Sequence, residues 1–255
     1  MRAASTAAIG CAVLALLTSQ GALADTPRSR AFGACGRGGF SKEKLRSTLS
    51  AWVAASTSGG SVYINRGYLA GQTCTVPRNM SQDTMRRYLR AQGAAASGDL
   101  RETFQREIVG RINRAGVICG DCVTWMQRMT ACAGRTGPTL NSIKEGSTHL
   151  ATASSCSAAA AGVRGGIQFG DLFWFKPARG AGIPHMFMYT GGAGLPYEIV
   201  EMSGGTDGCG RPAELRGMGC VKSHRTKGGY ARWSPQFEFC RVYRILPGGT
   251  RRSGR

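Results

Sequence analysis

The sequence predicts an α+β fold, a helix packed on an antiparallel sheet, with an N-terminal helical region before it. Three patterns predict it. Apolar residues recur at helical spacing from residue 25 to about residue 116, one further helical stretch runs over 122–133, and the remainder carries aromatic and β-branched runs between glycines and prolines.

Taken in order, Ser41 is placed to cap a helix whose apolar face is Leu45, Leu49, Trp52 and Val53, and Ser81 to cap a second with Met85, Tyr88 and Leu89. Leu100, Phe104, Ile108 and Ile112 follow at every fourth residue and mark a third. Between the first two, residues 61–69 read as a short strand. In the 122–133 stretch Cys122, Trp125 or Met126, Met129, and Cys132 or Ala133 fall at helical spacing, and Gly134 is a natural stop. Residues 147–166 are rich in Ala, Ser and Gly and read as a loop or irregular helix pinned by Cys156. Residues 167–175, 185–189, 197–202 and 237–246 then read as strands. No internal repeat is present. The organisation expected is a signal peptide at 1–24, a helical region at 25–115, a sheet-bearing domain at 116–247 and a basic tail at 248–255.

Composition narrows the function. The chain has 255 residues with 42% hydrophobic, enough to bury a core, which excludes intrinsic disorder. Lys and Arg number 33 against 14 Asp and Glu, a formal charge of +19 spread along the chain. Dispersed basicity without a nucleic-acid motif fits attraction to an anionic polymer, not base-specific recognition of nucleic acid. At the N-terminus Arg2 precedes an apolar run over 7–17 and then Ala22-Leu23-Ala24, the small-x-small pattern of signal-peptidase cleavage, so the mature chain is expected to start at Asp25 in a secreted or periplasmic protein. A lipidated Cys11 is the weaker reading, because most of the apolar run follows it. No stretch approaches the ~20 apolar residues of a membrane span. Nine cysteines then remain, Cys35, Cys74, Cys119, Cys122, Cys132, Cys156, Cys209, Cys220 and Cys240. An odd number in an oxidising compartment leaves a thiol unpaired or shared between chains.

Cys122 is the candidate for that thiol. In Val117-Ile118-Cys119-Gly120-Asp121-Cys122-Val123-Thr124-Trp125, Asp121 is a good N-cap and puts Cys122 in the first helical turn, where the helix dipole is expected to lower its pKa. Downstream, alternation puts residues 185, 187 and 189 on one face of a strand and 199, 201 and 203 on one face of the next, so a hairpin pairing sets Glu201 beside His185. A thiol at a helix start, an imidazole on a strand and a carboxylate that orients it are the parts of a cysteine nucleophile site.

These segments, in this order, resemble the CHAP and NlpC-type cysteine amidases and endopeptidases of bacterial cell walls: Gly120-Asp121-Cys122 with Trp125, then Gly170-Asp171-Leu172-Phe173-Trp174-Phe175, then His185-Met186-Phe187-Met188-Tyr189-Thr190-Gly191, then Val200-Glu201-Met202-Ser203. The resemblance covers about residues 116–246. It implies a papain-like fold, with Cys122 as nucleophile, His185 as general base and Glu201 holding the imidazole. It also implies peptidoglycan or another anionic cell-wall polymer as partner, and calls for no cofactor and no metal. Ser203 stands where the CHAP pattern usually has an asparagine, and Glu201 where NlpC-type enzymes often have a histidine. Residues before 110 lie outside the resemblance.

Other readings of the same residues stay open. A Cys119/Cys122 pair also suits a thiol-disulfide oxidoreductase, with Pro184 as its candidate cis-proline, although the βαβ context before the motif is missing and Trp125 lies after it. A non-catalytic, disulfide-rich secreted binding module is the third. His149 and His224 read as solvated surface histidines, Asp171 as a strand-end carboxylate that holds backbone donors, and Asp207 and Glu214 lack the paired spacing of a glycosidase.

Overall fold

The computed structural model describes residues 39–56, 60–64, 69–70, 73–74, 76, 80–114, 117–134, 147–178, 184–204 and 219–245. The expected signal peptide, the basic tail, Cys35, Cys209, Asp207 and Glu214 lie outside the described residues.

The N-terminal helices form where their caps place them. Ser41 Oγ accepts from Lys44 N–H at 3.1 Å to start α1 (Lys42–Ala55), and Ser81 Oγ accepts from Thr84 N–H at 3.2 Å to start α2 (Gln82–Ala91). Asp99 caps α3 (Leu100–Phe104), which continues through a π-helical turn (Gln105–Val109) into α4 (Gly110–Arg114). The turn explains the strict four-residue apolar period. In a regular α-helix a step of four drifts by about 40°, and the wider turn takes up that drift. Phe104, Ile108 and Ile112 are accordingly all buried.

Short β1 (Ser61–Tyr63) falls inside the expected strand, and β2 (Leu69–Ala70) pairs with β3 (Thr73–Cys74). β1 pairs in parallel with β4 (Ile118–Gly120), which leads into α5 (Cys122–Cys132). The rest is a six-stranded antiparallel sheet. Its strands are β5 (Ser147–Ala153), β6 (Leu172–Lys176), β7 (His185–Tyr189), β8 (Ile199–Ser203), β9 (Cys220–His224) and β10 (Phe239–Ile245), in the order β5-β10-β6-β7-β8-β9. The chain is thus α+β, as its patterning predicts.

Two segments differ from expectation. Residues 147–166, expected as a loop or irregular helix, hold the helix α6 (Cys156–Ala161) but also strand β5; antiparallel pairing with β10 makes a strand of a segment that lacks a clear alternation of apolar and polar residues. The pin itself is there, as a Cys156–Cys240 disulfide. The basic segment after residue 219 opens with β9, fixed by its register on β8.

Both sheet faces are covered. On one, Met186, Met188, Val200, Met202 and Val221 pack with Leu45, Leu49 and Trp52 of α1 and Trp125, Met126 and Met129 of α5. On the other, Phe173, Phe175, Phe187, Ile199 and Val242 pack with Cys156 and Ala159 of α6 and with Tyr230 and Trp233. Phe173 and Phe187 stand opposite each other in the β6/β7 register and stack at 4.8 Å.

Asp171 closes the turn into β6. Its carboxylate accepts the Gln168 N–H at 2.8 Å, the donor-holding role expected of it, and forms a bidentate pair with Arg244 at 2.9 and 2.8 Å while only 1% exposed. Removing one partner of such a pair strands a buried charge, so Arg244→Met is expected to cost roughly 3 kcal/mol. Urea unfolding checks this; an unchanged midpoint would mean that Asp171 finds its donors elsewhere.

Candidate active site

The turn that carries Cys122 is held from both sides. Gly120 pairs with Tyr63 of β1, its carbonyl accepts the Ile64 N–H at 2.9 Å, and Asp121 Oδ1 accepts from the Thr124 N–H and hydroxyl, both at 2.8 Å. Asp121 is therefore the N-cap that the sequence predicts, and Cys122 opens α5. Behind it Trp125, fully buried, meets Trp52 edge-on at 6.0 Å. Cys122 is the one free cysteine among the described residues, whereas Cys119 and Cys132 on either side are disulfide-bonded. Cys119 and Cys122 are thus not joined to each other. The bond before Pro184 begins at Ile183, outside the described residues.

His185 opens β7, and Glu201 lies in β8. The register pairs Phe187 with Glu201, which places His185 diagonally across from the carboxylate on the same face. His185 Nε2 lies 2.5 Å from Glu201 Oε2, and both residues are buried. His185 Nδ1 makes no hydrogen bond among the described residues. The Cys122 sulfur approaches β7 one residue further on, where the Met186 backbone N–H is directed at it together with that of Val123. Ser203, also buried, stands on β8 two residues beyond Glu201 and opposite Cys220.

Glu201 has partners that sequence reasoning missed. Tyr230 donates its hydroxyl to Oε2 at 2.7 Å, His224 Nε2 lies 3.3 Å from Oε1, and the Arg232 guanidinium stands 3.8 Å from Oε2. His224 is therefore not the solvated histidine expected. It comes from β9, in which residue 222 faces Glu201, so His224 is the diagonal neighbour on the opposite side from His185. Period-two spacing with the β9 register would have revealed it, but a strand in that basic segment could not be read. His149 lies on exposed β5 beside Ala151 and Thr152, away from this cluster.

Electrostatics corrects one expectation. Burial, and next the Asp121 carboxylate, push the Cys122 thiol up to about 12; the Met186 and Val123 N–H groups pull it down, and Glu201 adds a smaller upward push. The cap that places Cys122 at the helix start brings a negative charge that opposes the dipole, so the expected lowering does not occur. Burial holds His185 below its ordinary 6.5 against the hydrogen bond and charge of Glu201. Burial alone would raise Glu201, but hydrogen bonds from His185, His224 and Tyr230 outweigh it and hold the carboxyl well below the usual carboxylate range. Both depressed values act in one direction: they stabilise the fold above pH 6.5, and that stability is lost as pH falls through the folded values. The resting pair at neutral pH is therefore a neutral thiol with a neutral imidazole.

No family model, curated protein or solved structure matches the chain.

With the thiol at about 12, alkylation of Cys122 by iodoacetamide in the unreduced protein is expected to accelerate nearly tenfold per pH unit from pH 7 to 10, at one equivalent per chain. Mass-spectrometric mapping of the adduct checks it. A rate already level at pH 7 would indicate a preformed thiolate.

Proposed function

We propose that the chain is an exported cysteine hydrolase of papain-like fold that cleaves amide bonds, with peptidoglycan peptides as substrate. The observation that carries this reading is that the free Cys122 at a helix start meets β7 at Met186, next to a buried His185–Glu201 pair whose second imidazole nitrogen makes no hydrogen bond among the described residues. The bonded state of Cys119 favours it over the redox reading, because a cycling pair needs Cys119 and Cys122 to join each other. The Cys156–Cys240 disulfide fits an oxidising compartment and so the signal peptide. A formal charge of +19 suits an anionic wall.

In this mechanism His185 Nδ1 takes the thiol proton as the sulfur attacks the amide carbonyl, and the Cys122 backbone N–H stabilises the developing oxyanion. The imidazolium gives the proton to the leaving amine, leaving a thioester on Cys122. Water, deprotonated by His185, then releases the acid and restores the thiol. A base held below 6.5 is neutral and ready at pH 7, which suits the step. Glu201 keeps the ring in place and balances the transient positive charge.

Digestion of purified peptidoglycan followed by mass spectrometry of the muropeptides tests the reading. Cys122→Ser and Cys122→Ala are expected to abolish cleavage with folding intact. His185→Ala is expected to lose roughly 10³- to 10⁴-fold, and Glu201→Gln markedly less, because a neutral acceptor still orients the ring. Cleavage that survives in Cys122→Ala would sink the hydrolase reading. Wild-type rates in Glu201→Gln would remove Glu201 from it.

A further inference from the structure

Glu201 receives more hydrogen bonds than the orientation of one imidazole requires, and its donors come from three separate elements. β7 supplies His185, β9 supplies His224, and the segment between β9 and β10 supplies Tyr230. The terminal torsion of a glutamate is broad, so a single hydrogen bond to one oxygen leaves the carboxylate free to turn. Here both oxygens are engaged. Tyr230 reaches Oε2 at 2.7 Å, and it is itself fixed: its ring meets Phe187 edge-on at 5.0 Å and His224 at 4.6 Å, and its backbone N–H donates to the Lys227 carbonyl at 3.1 Å. Burial and the neighbouring carboxylate raise the Tyr230 phenol, which keeps its hydroxyl a donor at neutral pH.

We propose that Tyr230 and His224 are positioning residues that lock the Glu201 carboxylate against His185 Nε2, so that the neutral imidazole carries its proton on Nε2 and keeps Nδ1 bare as the base. The alternative tautomer would put the bare Nε2 lone pair 2.5 Å from Oε2, two acceptors face to face, and an immobile carboxylate cannot turn away from it. Arg232, 42% exposed at 3.8 Å, adds a positive field without a hydrogen bond of its own. The inference rests on the assignment of His185 as base but concerns a state of the protein that exists without substrate.

The test uses the full chain labelled with ¹⁵N-histidine, whose imidazole shifts report the tautomer. Three histidines are present, and His149, far from the cluster on β5, serves as the internal reference for folding. The wild type is expected to show His185 as a single Nε2–H tautomer. Tyr230→Phe and His224→Ala are expected to give mixed tautomers and, on the amide substrate, a kcat lowered about tenfold at unchanged KM, the size of one charge-assisted hydrogen bond. His224→Gln, whose amide still donates to Oε1, is expected to restore both. Wild-type tautomer and kcat in Tyr230→Phe and in His224→Ala would overturn the proposal. Should Tyr230→Phe lose the native His149 signal, the His224→Ala and His224→Gln pair decides alone. A tautomer that responds as stated in a protein that cleaves no amide keeps the lock and removes the hydrolase; Cys122-dependent cleavage with an indifferent tautomer removes the lock alone.

Discussion

A carboxylate that keeps its charge while buried must find donors inside the protein, and Glu201 finds them on both sides of strand β8. Burial works against its ionised form, and the hydrogen bonds from His185, His224 and Tyr230 reverse that. Much of the sheet follows from this requirement. β7 and β9 must flank β8 in registers that put a histidine on each diagonal, and the segment after β9 must fold back over Phe187 to bring the Tyr230 hydroxyl in. The stacked Phe173–Phe187 pair and the Cys156–Cys240 disulfide then fill and fix the layer beneath.

The thiol half of the site obeys the opposite electrostatics. A helix start favours a thiolate by a dipole effect of about 0.3–1 kcal/mol at an exposed end, whereas burial of the sulfur and an adjacent capping carboxylate oppose it more strongly, so the thiol rests protonated. Asp121 thus has two consequences: it starts the helix at Cys122, and it opposes ionisation of that thiol. The positive charge that would stabilise a thiolate is not preformed on His185 either, because burial holds the imidazole neutral. In the proposed mechanism a proton must therefore move when the sulfur attacks, and Nδ1, which makes no hydrogen bond among the described residues, is the group placed to take it.

How much of this could be read from sequence depended on whether local pattern or distant pairing decided the structure. Caps and apolar stripes are local, so α1, α2, α5 and their buried faces follow from Ser41, Ser81, Asp121 and the residues after them. The His185–Glu201 pair was legible because both strands carry strong β patterns and strand side chains alternate. β5 was not, because its small and polar residues carry no apolar alternation and the strand is fixed by pairing with β10. Nor were Tyr230 and His224: their place beside Glu201 is set by β9, a five-residue strand in a segment that reads as solvated charge. The raised thiol escaped for another reason. Sequence identifies the cap and the dipole, but burial, the largest influence on the sulfur, belongs to the packed state.

The two halves of the site belong to different layers, and what lies between them decides how they meet. The loop before Cys122 is fixed by β1, through Gly120 and Tyr63, and α5 is fixed by α1, through Trp125 and Trp52. His185 and Glu201 are fixed by the sheet. The contact between these units is rich in methionine: Met126 and Met129 on α5 face a layer that contains Met186, Met188 and Met202. Unbranched thioethers fill irregular gaps and repack at low cost, where branched side chains would hold one fit. Sulfur and imidazole are therefore positioned by two units that meet across this methionine-rich layer, and the Met186 amide, which meets the thiol from the strand that His185 opens, is the polar contact that ties the one to the other.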